Sequence, residues 1–261
     1  MKIKTLAITA LLVAGVALTG QSAKAALTYT PGDLFLGFRA LGGTGATQDY
    51  VVNIGQFSLY TSGNSFTIGN VGTDLTAVFG ASWNTDRGEG NGVLWSAIGT
   101  PYNSSSDPKT VFVSKPQSSV TEFLGKAPGA STQTITNIQD VASGYLFSSA
   151  NASNAAGTIQ NVSDGNSWDS KFHFVTNLDF NRFDEIEGDF SAGVGSSGAV
   201  LDLFQIDPVN GSTATLLGSL SISSSGVVTF TAVPEPSTMA FIGVAAAIGA
   251  IWLRRRRTLR A

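Results

Sequence analysis

The 261-residue chain carries 18 acidic and 15 basic residues, one histidine and no cysteine. Without cysteine there are no disulfides, thiolate metal sites or thiol nucleophiles, and a single histidine rules out any site built on several imidazoles. The net charge of −3 hides an uneven distribution, because eight of the basic residues lie within the first 24 and last eight positions; within residues 26–232 seven cations face 17 acids, about −10. That balance argues against nucleic acid and anionic membrane surfaces as partners, and leaves divalent cations, cationic surfaces and neutral glycans.

Residues 1–25 have the layout of a secretory signal peptide. Lys2 and Lys4 form a positive n-region, residues 6–18 an apolar core, and Ala23-Lys24-Ala25 a small-x-small site, so cleavage is expected before Ala26. Residues 26–232, roughly 207 in number, fit one β domain or two small ones, and that length can bury about 70% of its unfolded surface without covalent staples.

Along this domain, β-branched and aromatic enrichment predicts strands at 34–40, 50–54, 93–98, 110–114 and 171–176. In the last of these, alternation places Phe172 and Phe174 on one face and His173 on the other. Thr73 and Asp74 are positioned to cap a short helix through Leu75, Val78 and Phe79. Ile135, Ile138 and Val141 recur at helical spacing over 134–142, with Gly144 as the expected stop. Strands at 201–206, 216–222 and 227–231, separated by the turn-rich 207–211 and 223–226, give a terminal meander. No period of 20–50 residues repeats. The expected fold is mainly β: a single antiparallel β-sandwich or jelly-roll-like domain with short helical insertions, plus a C-terminal transmembrane helix.

That last helix belongs to a three-part tail. Pro234-Glu235-Pro236 comes first, then the apolar run 239–253, then Arg254, Arg255, Arg256 and Arg257. Two prolines deny the motif both helix and ladder hydrogen bonding and keep it extended for a processing enzyme. The apolar run is short for a bilayer, but snorkelling arginines extend it and hold its end in the cytoplasm. Residues 233–257 resemble the PEP-CTERM sorting domain, the signal read by exosortase-type membrane proteases. The resemblance implies transient inner-membrane anchoring, cutting near Pro234-Glu235-Pro236, and delivery to the cell surface or exopolysaccharide matrix. Residues 32–40 and 42–50 are also similar to PEP-CTERM proteins of the verrucomicrobial type, a likeness that implies no activity.

Chemistry-bearing residues are sparse. His173, flanked by phenylalanines, reads as structural. Asp179, Asn181, Asp184, Glu185, Glu187 and Asp189 form the densest oxygen-ligand cluster, which suits a solvated acidic turn or a loop holding Ca²⁺ as cofactor. Two of its carboxylates could also serve glycoside hydrolysis. The glycine-rich 84–92 fails the EF-hand template and reads as a flexible turn. Trp95 lies in an apolar run, whereas Trp168, in the polar stretch 164–169, is the aromatic placed to stack on a glycan. The expected function is a non-enzymatic structural or adhesive role at the surface. The alternatives are a calcium-dependent carbohydrate-binding module and, behind it, a carboxylate-based glycan hydrolase.

Overall fold

The computed structural model describes residues 28–85, 92–118, 128–147, 150–172, 186–209 and 212–233. The chain opens with β1 (Asp33–Ala40) and β2 (Gln48–Gln56), paired antiparallel from Asp33 opposite Gln56 to Arg39 opposite Asp49. Every residue of β1 is buried, which explains why it reads as a continuous apolar run rather than an alternation: both of its faces are covered. Next come β3 (Phe66–Asn70) and α1 (Gly72–Phe79), then β4 (Val93–Gly99) and β5 (Val111–Pro116). The long α2 (Pro128–Phe147) precedes β6 (Ala150–Asn151) and β7 (Gly157–Asn161), and α3 (Trp168–Phe172) precedes β8 (Gly188–Asp189). The terminal meander is β9 (Leu201–Ile206), β10 (Thr215–Ile222) and β11 (Val227–Ala232).

All these strands join one antiparallel sheet in the order β3-β11-β10-β9-β5-β4-β1-β2-β7-β6, with β8 paired to β4. The expected two-sheet sandwich is therefore replaced by a single curled sheet, a half-barrel. The curl supplies the second layer. Leu34, Leu36 and Phe38 of β1 share one core with Leu201 and Leu203 of β9, Leu220 and Ile222 of β10, and Val228 and Phe230 of β11. Tyr60, Phe66 and Phe230 meet edge-on or tilted at centroid distances of 5.0–5.6 Å, closing the β3 end of this core.

The outer face is covered by helices rather than by strands. Ile135, Ile138, Val141, Ala142 and Tyr145 of α2 lie on Phe35, Val51, Ile98, Val111, Val113 and Ile206. Their spacing is the apolar stripe seen in the sequence, but the helix runs past the expected stop to Phe147. Gly144 sits inside it because a Cβ there would lie 2.4 Å from the carbonyl oxygen of Asn166; the glycine permits close packing and does not end the helix. Two further expectations change. Lys171 and Phe172 close α3, so the strand predicted from 171 does not begin there. The helix α1 starts from Val71 without a side-chain cap, leaving Asp74 in its first turn for another task. The predicted membrane span, 239–253, lies outside the described residues, among which no helix is long and apolar enough to cross a membrane.

Candidate functional site

The half-barrel is left open where its two ends approach. Between the free side of β3 and the β2–β7 end lies a groove of about 1010 Å³. Residues 65–70 line one wall in unbroken succession, so the wall is the edge of a strand and not one of its faces. Asn53 and residues 153–156 form the other wall, Ser62 and Asn64 lie at the rim, and Leu36, Val52, Ile54, Ile68, Val71 and Val228 provide the apolar floor.

Asp74 is the one charged residue of the lining among the described residues, and it fixes the far wall. Its buried carboxylate accepts hydrogen bonds from the Tyr50 hydroxyl (3.0 Å), the Ser153 amide (2.5 Å) and the Asn154 amide (2.9 Å). One side chain thus ties α1 to β2 and to the turn before β7. Burial, then the charge of Asp74, holds the Tyr50 phenol far above its ordinary range, so it stays a donor. Asn53 is likewise committed, donating to the Thr28 carbonyl and Asp33 Oδ2 and accepting from Gly55. The exposed hydroxyls of Thr67, Thr73 and Ser153 make no such commitments among the described residues. Opposite Val228, Gly69 leaves space: a Cβ built on it meets nothing within 4 Å.

A second polar cluster lies on the outer face. Arg39, directly across the β1–β2 ladder from Asp49, forks onto Glu187 (Nε–Oε1 2.8 Å, Nη2–Oε2 2.5 Å) and reaches Asp169 at 3.3 Å. Asp49 is fully buried; its Oδ2 accepts the Asp169 N–H at 2.7 Å, while Oδ1 has no hydrogen-bond partner among the described residues. Burial pushes this carboxyl up to about 7, against the pull of the Asp169 N–H and Arg39 and with the repulsion of Asp169 and Glu187. With no surface of its own, Asp49 cannot touch a substrate, and the cluster pins α3 and the approach to β8 onto the sheet. Lys171 adds a tie to Asp140 of α2 at 2.8 Å.

These contacts account for two of the six oxygen ligands proposed from sequence. Glu187 is spent on Arg39, and Asp189 Oδ1 accepts the Ser191 N–H at 2.8 Å. Asp179, Asn181, Asp184 and Glu185 lie outside the described residues, as does His173. Among the described residues no group of three carboxylates or imidazoles is arranged to hold a metal. Trp168 is not a surface platform. It is 0% exposed, packed on Gly37 and joined to the α2 stripe, which corrects its assignment as a glycan-stacking residue. Trp95 is buried as expected and donates from Nε1 to the Ala199 carbonyl at 2.8 Å, and Trp83 is buried against Phe190. Ala23, Ala25, Pro234, Glu235, Pro236 and Arg254–Arg257 all lie outside the described residues. Sequence reasoning missed the groove altogether, since its Ser, Thr and Asn residues look like ordinary loop composition.

Residues 232–257 match the family model of the PEP-CTERM protein-sorting motif. Neither the curated proteins nor the solved structures give a match. The matched segment begins at Ala232, the last residue of β11, so the motif runs directly off the sheet. The match supports an exported protein sorted by an exosortase. It covers about a tenth of the chain and bears on delivery.

Proposed function

We propose that this chain is a cell-surface or exopolysaccharide-associated protein, exported through its signal peptide, anchored briefly in the inner membrane by residues 239–253, and released near Pro234-Glu235-Pro236 by an exosortase. Its role there is structural or adhesive, carried by the folded β domain and not by catalysis. The observation that supports this reading best is the junction at Ala232. That residue donates from its amide to Ser65 Oγ at 3.0 Å, and Val233 donates to the Leu217 carbonyl at 3.1 Å. The sheet is therefore ordered up to the edge of the sorting motif, and the domain is delivered with almost no tether between fold and signal. The acidic surface, about −10 over residues 26–232, suits a matrix of neutral or cationic polymers better than one of nucleic acid.

Replacing Pro234 and Pro236 by alanine in the native host tests the route. Loss of processing, with the protein held in the inner-membrane fraction at its unprocessed size, is the expected result. Unchanged size and unchanged distribution between membrane, surface and matrix would overturn it.

A further inference from the structure

We infer that the groove between β3 and the wall formed by Asn53 and residues 153–156 is a binding site for a neutral polysaccharide chain. Three properties of the lining point to this ligand class. The first is charge. Among the described residues no lysine or arginine lines the groove, so an anionic ligand finds no counter-charge there; the one carboxylate among them, Asp74, is already enclosed by three donors, so a cationic ligand finds none either. The second is the kind of polar group present. Thr67, Thr73 and Ser153 offer hydroxyls, and Asn64 and Asn70 offer amides. The hydroxyls donate and accept at one oxygen, as sugar hydroxyls do, while the amides donate from nitrogen, the Asn70 Oδ1 already accepting the Gly72 N–H at 2.8 Å. The third is apolar surface: half-buried Phe66 and Ile68 and the space beside Gly69, along the β3 wall, give an apolar strip for the C–H face of a sugar ring.

The same wall argues against a peptide strand as occupant. β3 is five residues long, and its register with β11 shifts between Val228 and Thr229, which places a bulge at Ile68. A short, bulged edge breaks the regular ladder of N–H and C=O groups that an added strand needs. A second copy of this acidic domain would also bring like charge to the contact. The Asp74 clamp holds the opposite wall in place before any ligand arrives, which lowers the ordering cost of binding.

The inference deepens the adhesive role proposed above and rests on it for its setting, but not on the sorting route. It is tested on the full chain, purified in a detergent without a sugar headgroup, by native affinity electrophoresis. The gels contain the host's neutral exopolysaccharide fraction, a β-glucan, an α-glucan or a mannan, with alginate and an uncharged extended peptide as comparisons. Retardation by a neutral polysaccharide, unaffected by EDTA, is expected. Gly69→Phe is expected to weaken it by about tenfold or more. Gly69 lies outside the left-handed region and has open space beside it, so the substitution fills the groove without straining the backbone. Thr73→Ala and Ser153→Ala, at exposed positions, are expected to weaken it several-fold with an unchanged melting temperature. No retardation by any neutral polysaccharide, retardation by alginate or peptide alone, or equal retardation of wild type and all three variants would overturn the site. A protein that is processed and exported normally yet is silent in every gel removes the groove while leaving the sorting route intact.

Discussion

Gly37 lies so close beneath the Trp168 indole that a Cβ added to it would fall 2.0 Å from ring atoms Cδ2 and Cε2. The two residues are 131 positions apart. One is in a strand buried along its whole length, and the other opens the short helix α3. The absent side chain of one makes room for the largest side chain of the other, and this contact seats α3 on the outer face.

Gly37→Ala is therefore expected to destabilise the fold by about 1–3 kcal/mol or more through overpacking. Trp168→Ala is expected to cost about 3–5 kcal/mol by opening a cavity. Urea unfolding of both variants checks this; a Gly37→Ala change within about 0.5 kcal/mol of wild type would mean the indole is not held there.

Arg39 and Glu187 form a forked ion pair with side chains 9% and 14% exposed, and Asp169 shares the guanidinium. Removing Arg39 alone leaves Glu187 and Asp169 facing each other in a poorly solvated place. Arg39→Met should cost about 3 kcal/mol, and Arg39→Met combined with Glu187→Leu should cost less than that single change. A double-mutant cycle in urea reads the difference. Additive losses would contradict the pairing.

Asp49 gives a pH signature of unusual sign. Its folded value of about 7 lies above the ordinary carboxylate range, so between about pH 4 and 7 the native state holds a proton that the unfolded chain has released. The contribution is fully present below about pH 4 and is lost as pH rises through 7, with a slope of at most about 1.4 kcal/mol per pH unit. The charges facing it are those of Arg39, Asp169 and Glu187. Asp49→Asn should flatten this decline, as measured by urea unfolding from pH 4.5 to 8. Parallel wild-type and variant curves would refute the assignment.

Asp74→Ala leaves the Tyr50 hydroxyl and two backbone amides without their acceptor. A loss of about 1–3 kcal/mol is expected, together with faster hydrogen exchange at Ser153 and Asn154. Unchanged protection at those two amides would show that the far wall of the groove is held by something else.

Much of the fold could be read from the chain because most strands are marked locally. The runs around Leu34–Phe38, Tyr50–Ile54 and Val111–Val113 are dense in β-branched and aromatic residues, and the β9–β11 meander is punctuated by turns. The architecture could not be read in the same way, because strand order rests on distant pairs such as Val111 with Ile206 and Phe66 with Phe230. Nothing in either segment names its partner. Gly144 and Trp168 misled for a related reason. A glycine in a helix and a tryptophan among polar residues have conventional local meanings, and both were overridden by tertiary contacts, with Asn166 and Gly37 respectively. The groove was invisible because one of its walls is a strand edge, and an edge is a property of the sheet and not of any one strand.

Whether an exosortase delivers the protein is decided by intact-mass measurement of the chain recovered from its native envelope. The account predicts a chain beginning at Ala26 and ending close to Pro234-Glu235-Pro236, without the apolar run and arginine block. A mass that retains residues 239–261 would contradict it.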